Sequence, residues 1–218
     1  MKKILVTQRL IKHDQYPEVR EALDVEWGRF LSSVSVLPIA VPLKADVKDL
    51  FEEMDVSGVL LTGGNDISVV SNDPLSGQRN ELEKKIMDEA IARNVPVLGV
   101  CRGMQFIAHY YGISLNKIAN HMAIDHRINF TEETKVFNAY DGQTTVNSFH
   151  NFGISKESIE DNNDLVLAAS AEDGSVEALE HKELPIVGMM WHPERNKTLS
   201  SSDVNLFNQF FNRLAVKS

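Results

Sequence analysis

The chain has 218 residues and a formal net charge of −9, with 22 Lys and Arg against 31 Asp and Glu. This acidic balance argues against a nucleic-acid surface, which concentrates Lys and Arg to neutralise phosphates. No apolar stretch approaches the roughly 18 to 20 residues of a membrane helix, and residues 1–12 predict a first strand and not a signal peptide. We therefore expect one α/β domain over residues 1–218, located in the cytoplasm, with neither nucleic acid nor membrane as a partner.

In the first half of the chain, short β-branched runs alternate with longer amphipathic runs, as in βαβ units around a mostly parallel sheet. Strands are predicted at residues 4–7, 36–41, 56–62 and 95–100. One helix is predicted over 17–31 because Pro17 suits a first turn and apolar residues follow at helical spacing. A second is predicted to end near Asn94, and a third to run from Cys101 to a stop at Gly112.

The hydrophobic pattern changes from about residue 127 to 180, where short segments of alternating apolar and polar residues are separated by Asp, Asn and Gly turns. These segments cover residues 135–140, 144–148, 165–169 and 176–179. A last apolar strand is predicted at 186–191 and a closing helix at 204–214. The predicted fold class is therefore α/β, with a mostly parallel central sheet flanked by helices and an additional antiparallel strand segment.

Cys101 is the only cysteine and lies where the strand at 95–100 meets the following helix. The segment Gly99-Val-Cys-Arg-Gly103 has the form of a nucleophile elbow with Cys in place of Ser, and side chains at its glycines would collide with neighbouring strands. A helix N-terminus also favours the thiolate, which is the reactive form. An inert buried Cys in a turn of small residues is the alternative. The strand, the two glycines, the apical Cys and the amphipathic helix together favour a nucleophile.

His192 is the predicted base among seven histidines, because it follows the strand at 186–191 at a carboxyl strand end. Pro193 biases His192 toward an extended backbone, so Glu194 shares its face and can orient the imidazole. An ordinary strand-end turn is the alternative for this segment. Most of the other histidines are interpreted as polar surface or loop residues.

A tetrahedral intermediate needs two N–H donors around its oxyanion. The residue after an elbow nucleophile usually supplies one of them, here Arg102. Gly64 is predicted to supply the other, because it ends a neighbouring strand and has no side chain to block close approach. An ordinary Gly-Gly turn is the alternative interpretation of Gly63 and Gly64.

Four motifs together resemble a known family: Leu61-Thr-Gly-Gly-Asn-Asp66, Gly99-Val-Cys-Arg-Gly-Met-Gln105, Ser148-Phe-His150 and Trp191-His-Pro-Glu194. They occur in the order found in class I glutamine amidotransferases, and they look most like the free-standing γ-glutamyl hydrolase branch. Residues 22–27 and the pair Arg79 and Glu83 are also similar to that branch. The resemblance therefore covers nearly the whole chain.

The resemblance implies a role for each matching residue. It implies a catalytic triad of Cys101, His192 and Glu194 and an oxyanion hole at Gly64 and Arg102. It further implies that Gln105 helps to hold a γ-glutamyl group, whose α-amino and α-carboxyl ends are bound by Ser148, Phe149 and His150. The implied reaction is hydrolysis of a small-molecule γ-glutamyl amide through a γ-glutamyl thioester, which releases L-glutamate and needs no metal or organic cofactor.

Two departures from that branch fall on the rim that would face the leaving group. Asn80 replaces the usual Asp after Arg79, and residues 67–71 replace a loop that contains Pro and Tyr. Both put the usual γ-glutamyl polyamine substrates in doubt. The chain as a whole looks similar to bacterial hydrolases of γ-glutamyl-CDP-amidate, which serve capsule phosphoramidate synthesis. For such a substrate Arg79 or Arg102 could face the phosphates, although we expect both to be solvated surface residues.

Two alternative functions stay open. The chain could be a glutaminase subunit that supplies ammonia to a separate synthetase, so a synthetase partner is compatible with the sequence but not required. It could also be a catalytically inactive binding domain, although retention of Cys101, His192 and Glu194 argues against that interpretation.

Overall fold

The computed structural model describes residues 1–132, 134–140 and 143–213. Its strands, β1 to β13 in chain order, are Lys2–Val6, Arg9–Lys12, Val19–Ala22, Val36–Ala40, Val56–Leu61, Val97–Val100, Asn116–Lys117, Met122–Phe130, Gln143–Phe149, Phe152–Gly153, Leu165–Ala171, Val176–His181 and Ile186–Met189. Its helices, α1 to α6, are Glu26–Ser33, Val47–Glu53, Pro74–Ala92, Arg102–Tyr110, Lys156–Glu160 and Ser201–Arg213. Short 3-10 turns lie at Phe137–Ala139 and Pro193–Arg195. None of these helices is long and apolar enough to cross a membrane.

Nine strands form one sheet in the order β4-β1-β5-β6-β13-β12-β11-β8-β9. The pairings from β4 to β13 are parallel, and those from β13 to β9 are antiparallel. The predicted fold class is confirmed, because parallel central strands are flanked by helices and extended by an antiparallel segment. Since β6 and β13 are parallel neighbours, their carboxyl ends meet, and Cys101 and His192 both follow at that edge.

Helices cover both faces of the parallel half, as buried strands of this kind require. On one face, Phe30 of α1 packs edge-on against Phe207 of α6 with ring centroids 4.7 Å apart. On the other face, α3 and α4 bury Ile86 and Met104 against the sheet. The helix starts are encoded locally: the carboxylate of Asp73 caps α3 by accepting from the backbone N–H of Leu75 at 3.0 Å.

The predicted helix over residues 17–31 is wrong. Residues 9–12 and 19–22 instead form an antiparallel hairpin, β2 and β3, and only Glu26–Ser33 is helical. The side chain of Asn65 fixes this hairpin, because its amide accepts from the backbone N–H of Leu10 and donates to the carbonyl of Leu10, both at 2.9 Å. A long-range clamp of this kind overrides local helical spacing.

The prediction of an alternating, strand-like segment over residues 135–140 is also wrong. The carboxylate of Glu180 accepts the backbone N–H groups of Lys135, Val136 and Phe137 at 3.1, 2.9 and 3.3 Å, which turns the chain into a 3-10 turn. The helices α2 and α5 and the first half of β8 were not predicted. The closing helix is present as α6, and residue 214 of its predicted range lies outside the described residues.

The elbow at Cys101 is held by close backbone contacts on both sides. Cys101 has φ of 52° and ψ of −105°, a conformation that L residues rarely adopt. A Cβ atom on Gly103 would lie 2.1 Å from the carbonyl oxygen of Leu61, and one on Gly99 would lie 2.5 Å from the carbonyl carbon of Gly103. Only glycine therefore lets α4 approach β5 and β6 this closely.

Gly103→Ala should destabilise the chain by about 3 kcal/mol or more, because the new methyl meets backbone that cannot move away. Gly77→Ala is the matched control, since Gly77 lies in α3 with nothing within 4 Å of its added Cβ. It should stabilise by about 0.5–1 kcal/mol. Urea unfolding of both variants measures the difference. Equal stability of the two variants would contradict this account of the elbow.

Candidate active site

Cys101, His192 and Glu194 lie together at the carboxyl edge of the central strands. Nδ1 of His192 lies 2.7 Å from Oε1 of Glu194, and both side chains are buried. Cys101 lies next to His192, because both side chains pack against Gly63. The structure therefore brings together the three residues predicted as nucleophile, base and orienting acid.

The environment of His192 favours a charged imidazole. Burial alone would lower its pKa, but the neighbouring Cys101 and the carboxylate of Glu194 outweigh burial and raise the pKa of His192 to about 9. An imidazolium next to the sulfur stabilises a thiolate, which is the nucleophilic form of Cys.

The loop that follows β5 lies directly against this pair. A Cβ atom on Gly63 would lie 2.9 Å from Cε1 of His192 and 3.8 Å from Cβ of Cys101. Gly64 has φ of +132°, which only glycine adopts without strain, and a Cβ there would lie 2.7 Å from Arg79. Gly63, the neighbour of Gly64, therefore lies against Cys101, and Arg102 directly follows Cys101 at the start of α4. The oxyanion-hole roles of Gly64 and Arg102 stay predictions.

Arg79 and Arg102 are both buried, so the expectation that they are solvated at the surface is wrong. Glu83 lies between them: Arg79 Nε donates to its carboxylate at 2.9 Å, and Arg102 Nη1 contacts its other oxygen. Arg102 Nη2 also donates to Oδ1 of Asn80 at 2.6 Å. Burial and the nearby Arg102 lower the pKa of Arg79 to about 10, against the opposing effect of Glu83.

This ion network fixes the Gly63–Gly64 loop. Arg79 donates to the carbonyl of Gly63 at 3.0 Å through Nη1 and to the carbonyl of Thr62 at 2.7 Å through Nη2. Both guanidinium groups are used inside the protein, so neither faces solvent or a phosphate. Their role is to position the two segments that flank Cys101.

Asn147 holds the backbone of His192 and was missed by the sequence analysis. Its side chain accepts from the N–H of His192 and donates to the carbonyl of His192, both at 2.8 Å. On the far side, Arg29 of α1 donates to the carbonyls of Glu194 and Asn196 at 3.2 and 2.7 Å. Nothing in either local sequence signals these contacts, because each joins segments far apart in the chain.

Residues 4–194 match the peptidase C26 family. The chain belongs to this family. The gamma-glutamyl-CDP-amidate hydrolase of Campylobacter jejuni subsp. jejuni serotype O:2 is 35% identical over 202 residues, which cover 91% of this chain and 93% of that protein. A glutamine-hydrolysing GMP synthase subunit of Methanococcus aeolicus is 26% identical and is covered over 78% of its length by 75% of this chain.

Solved structures place the fold with class I glutamine amidotransferases. A putative GMP synthase subunit from Thermoplasma acidophilum superposes with a TM-score of 0.75 at 25% identity, over 99% of this chain and 94% of that chain. A glutamine amidotransferase from Thermotoga maritima gives a TM-score of 0.64 at 13% identity, over 99% and 86% of the two chains, and shows the fold alone. The predicted resemblance is confirmed, and peptidase C26 membership supports a hydrolase of C–N amide bonds.

The side chains of the predicted γ-glutamyl-binding segment, residues 148–150, face opposite sides of the sheet, because successive side chains alternate along β9. The ring of Phe149 lies edge-on to His192 with centroids 5.7 Å apart. Ser148 is turned away and donates to the carbonyl of His121 at 2.7 Å, and His150 is buried on the same side. Gln105 is also buried and donates to the carbonyl of Phe152 at 2.8 Å. The binding roles of these residues stay predictions.

His121, His126 and His150 form a cluster around Glu177, so these three imidazoles are not surface side chains. His121 and His150 are each 4% exposed, and Glu177 of β12 is fully buried. Burial alone would raise the pKa of Glu177, but the three imidazoles hold it well below its usual range. Glu177 was also missed; it lies inside the predicted alternating segment at 176–179, where an acidic residue gives no signal of burial.

A pocket adjoins His192 and Glu194 on the side of the β2–β3 hairpin. Its wall includes His192, Gly63, Trp27 and two arginines, Arg9 and Arg195. The guanidinium of Arg195 also lies 4.6 Å from the centre of the Phe149 ring. The hairpin that replaces the predicted helix therefore brings an exposed cation, Arg9, to the candidate site.

Glu83→Gln should destabilise the chain by about 3–5 kcal/mol, because it leaves two buried guanidinium groups without their carboxylate. It should also slow turnover, since Arg79 and Arg102 position the segments around Cys101. Glu81→Gln is the control, because Glu81 is exposed on the same helix. Urea unfolding and kcat measure the two effects. Wild-type values for Glu83→Gln would contradict the positioning role.

His192 should titrate near pH 9 in the wild-type chain and at lower pH in Cys101→Ala, because burial remains after the contribution of Cys101 is lost. Since the folded pKa exceeds the unfolded value of about 6.5, the folded chain binds the proton more tightly. The resulting stability is present below about pH 6.5 and is lost as pH rises through about 9. NMR of the labelled imidazole measures both values. An unchanged pKa in Cys101→Ala would remove the argument for a coupled pair.

Proposed function

We propose that the chain hydrolyses a γ-glutamyl amide with Cys101 as nucleophile and releases L-glutamate. The observation that carries the proposal is His192, which lies 2.7 Å from the carboxylate of Glu194 and packs with Cys101 against Gly63. Peptidase C26 membership and the name of the Campylobacter relative support the same reaction class. An inactive binding domain would have no need to retain a strained cysteine beside a buried imidazole–carboxylate pair.

The geometry supports a two-step acyl transfer. The thiolate of Cys101 attacks the γ-carbonyl carbon, and the oxyanion is stabilised by the N–H groups of Gly64 and Arg102. The C–N bond then breaks as the leaving nitrogen takes the proton of His192, which leaves a γ-glutamyl thioester. In the second step, water gives a proton to His192 and attacks the thioester. The C–S bond breaks, and glutamate and the thiolate are restored.

We further propose that the leaving group carries phosphate, as in γ-glutamyl-CDP-amidate, the substrate named for the Campylobacter relative. Arg9 and Arg195 line the pocket beside His192; Arg9 is exposed, and Arg195 lies 3.8 Å from the carboxylate of Glu194. Arg79 and Arg102 are excluded from this role because Glu83 and backbone carbonyls already occupy them. A phosphorylated leaving group in this pocket fits a role in capsule phosphoramidate synthesis.

A glutaminase subunit that supplies ammonia to a synthetase is the second candidate. The similarity to GMP synthase subunits in sequence and in fold favours it. The two candidates differ in the behaviour of the purified chain. A hydrolase should turn over substituted γ-glutamyl amides alone, whereas a synthetase-dependent subunit should be nearly silent on them and on glutamine until its partner is added.

The decisive experiment measures glutamate release from a panel of amides: glutamine, γ-glutamyl-putrescine, γ-glutamyl anilide and γ-glutamyl-CDP-amidate. We expect the nucleotide amidate to give the highest kcat/KM and Cys101→Ala to give none. A γ-glutamyl adduct on Cys101 should be trapped by acid quench and mass spectrometry. Absence of release and adduct with every amide would overturn the proposal.

Variants of the hairpin separate the leaving-group proposal from the reaction itself. Arg9→Gln should lower kcat/KM for the nucleotide amidate by about 10-fold or more, the scale of one hydrogen bond to a charged group, and lower that for the anilide much less. Arg20→Gln is the matched control, because Arg20 is exposed on the other strand of the hairpin and pairs with Glu18. Equal losses on both substrates would contradict phosphate recognition by Arg9.

A further inference from the structure

We propose that His121, His126 and Glu177 form a binding site for one divalent transition-metal ion, separate from the Cys101 site. Glu177 lies on β12 and His126 on β8, and His121 precedes β8. One ligand atom from each of the three residues can be chosen so that all lie within 4.8 Å of one another. The proposal departs from the sequence alone, which predicts no metal.

The distances around Glu177 fit a shared ion better than hydrogen bonds. Nδ1 of His121 lies 3.4 Å from Oε1, Nε2 of His126 lies 3.5 Å from Oε2, and Nε2 of His150 lies 3.6 Å from Oε1. Charge-assisted hydrogen bonds measure about 2.7–2.9 Å. Donor atoms around a tetrahedral zinc with bonds of about 2.0–2.1 Å lie about 3.3 Å apart. Each imidazole nitrogen thus lies from a Glu177 oxygen at about the separation of two ligands on one ion.

Hydrogen bonds on the far side of two rings set which nitrogen faces Glu177. Nε2 of His121 lies 3.0 Å from Oδ2 of Asp173, and Nδ1 of His150 lies 3.1 Å from the carbonyl oxygen of Phe152. Each outer nitrogen donates to its oxygen, so in the neutral rings the inner nitrogens direct lone pairs at a carboxylate. Lone pairs that face an anion repel it unless a cation lies between them. A histidine held by a carboxylate or carbonyl on its outer nitrogen is also the usual arrangement of a metal ligand.

A cation next to Glu177 would be favourable, because the carboxylate is buried. Its side chain is fully buried, and within the described residues neither carboxylate oxygen accepts a hydrogen bond. The nearby hydroxyl of Ser148 gives its hydrogen to the carbonyl of His121 at 2.7 Å and is not available to Nδ1 of that ring. A buried carboxylate without partners is unfavourable, and a coordinated cation removes the penalty.

The site borders a surface cleft and has a donor set of defined preference. The cleft is lined by Asn120, His121, His126 and Asp173, so two of the three proposed ligands form part of its wall. Two imidazole nitrogens and one carboxylate suit Zn²⁺ and its neighbours better than Ca²⁺ or Mg²⁺. The bound ion would join β8 and β12 behind the segment whose Phe149 faces His192. It would stabilise that half of the sheet without taking part in the reaction.

The test is a Zn²⁺ titration of the full chain, in the wild type and in Cys101→Ala. The second protein is needed because a thiolate beside His192 could bind zinc itself. We expect one equivalent of zinc per chain after dialysis, measured by elemental analysis, and a higher Tm with zinc in both proteins. Loss of the zinc and of the Tm increase in Cys101→Ala would assign the ion to the catalytic residues and overturn the proposal.

Single-residue variants then locate the ligands. His126→Ala should weaken zinc binding by about 100-fold, and Asp173→Asn, which changes only a partner of His121, by about 10-fold. Both side chains are partly exposed, and circular dichroism checks that the variants fold. His109→Ala is the control, because His109 lies on α4 outside the cluster. Wild-type affinity in His126→Ala, or no zinc bound by the wild type, would show that protons on the histidines balance Glu177 instead.

Discussion

Cys101 has a positive φ at the junction of β6 and α4, and the rest of the candidate site depends on that conformation. The turn places Cys101 at the carboxyl edge of the sheet, where His192 follows the neighbouring strand β13. It also places the N–H of Arg102 beside the sulfur, at the start of α4. The strain is tolerated because Gly99 and Gly103 let backbone meet backbone on both sides. The same tight packing against Leu61 sets the position of the loop that follows β5.

Burial divides the arginines of this site into two groups with different roles. Arg79 and Arg102 are enclosed with Glu83, and their donors are taken by carboxylate and carbonyl oxygens. Removing three charged groups from water is tolerated only when they pair with one another, and here both Nη atoms of each guanidinium have partners inside the protein. Because both side chains are buried, neither reaches a substrate in the pocket. Arg9 and Arg195 lie at a pocket wall instead, where a guanidinium can bind an external anion. Location, and not residue type, decides which arginine could recognise a leaving group.

The sequence predicted the parallel half of the fold and the proximity of Cys101, His192 and Glu194 because their signals are local. A nucleophile elbow, a Gly-Gly turn and a His-Pro-Glu segment each lie within a few residues, and strand order then brings them to one edge. The failures involve contacts between distant segments. Asn65 holds the β2–β3 hairpin against a helical pattern, Glu180 bends residues 135–140, and Asn147 clamps His192. No spacing rule can reveal a side chain that acts on backbone far away in the chain.

The antiparallel half shows how one strand can serve two sites. Successive side chains of a strand point to opposite faces, so Phe149 faces His192 while Ser148 and, beyond it, His150 face Glu177. Met190, just before the segment of His192, donates to the carbonyl of Glu177 at 2.8 Å. The environment of the buried carboxylate and the placement of the candidate base are therefore linked by backbone.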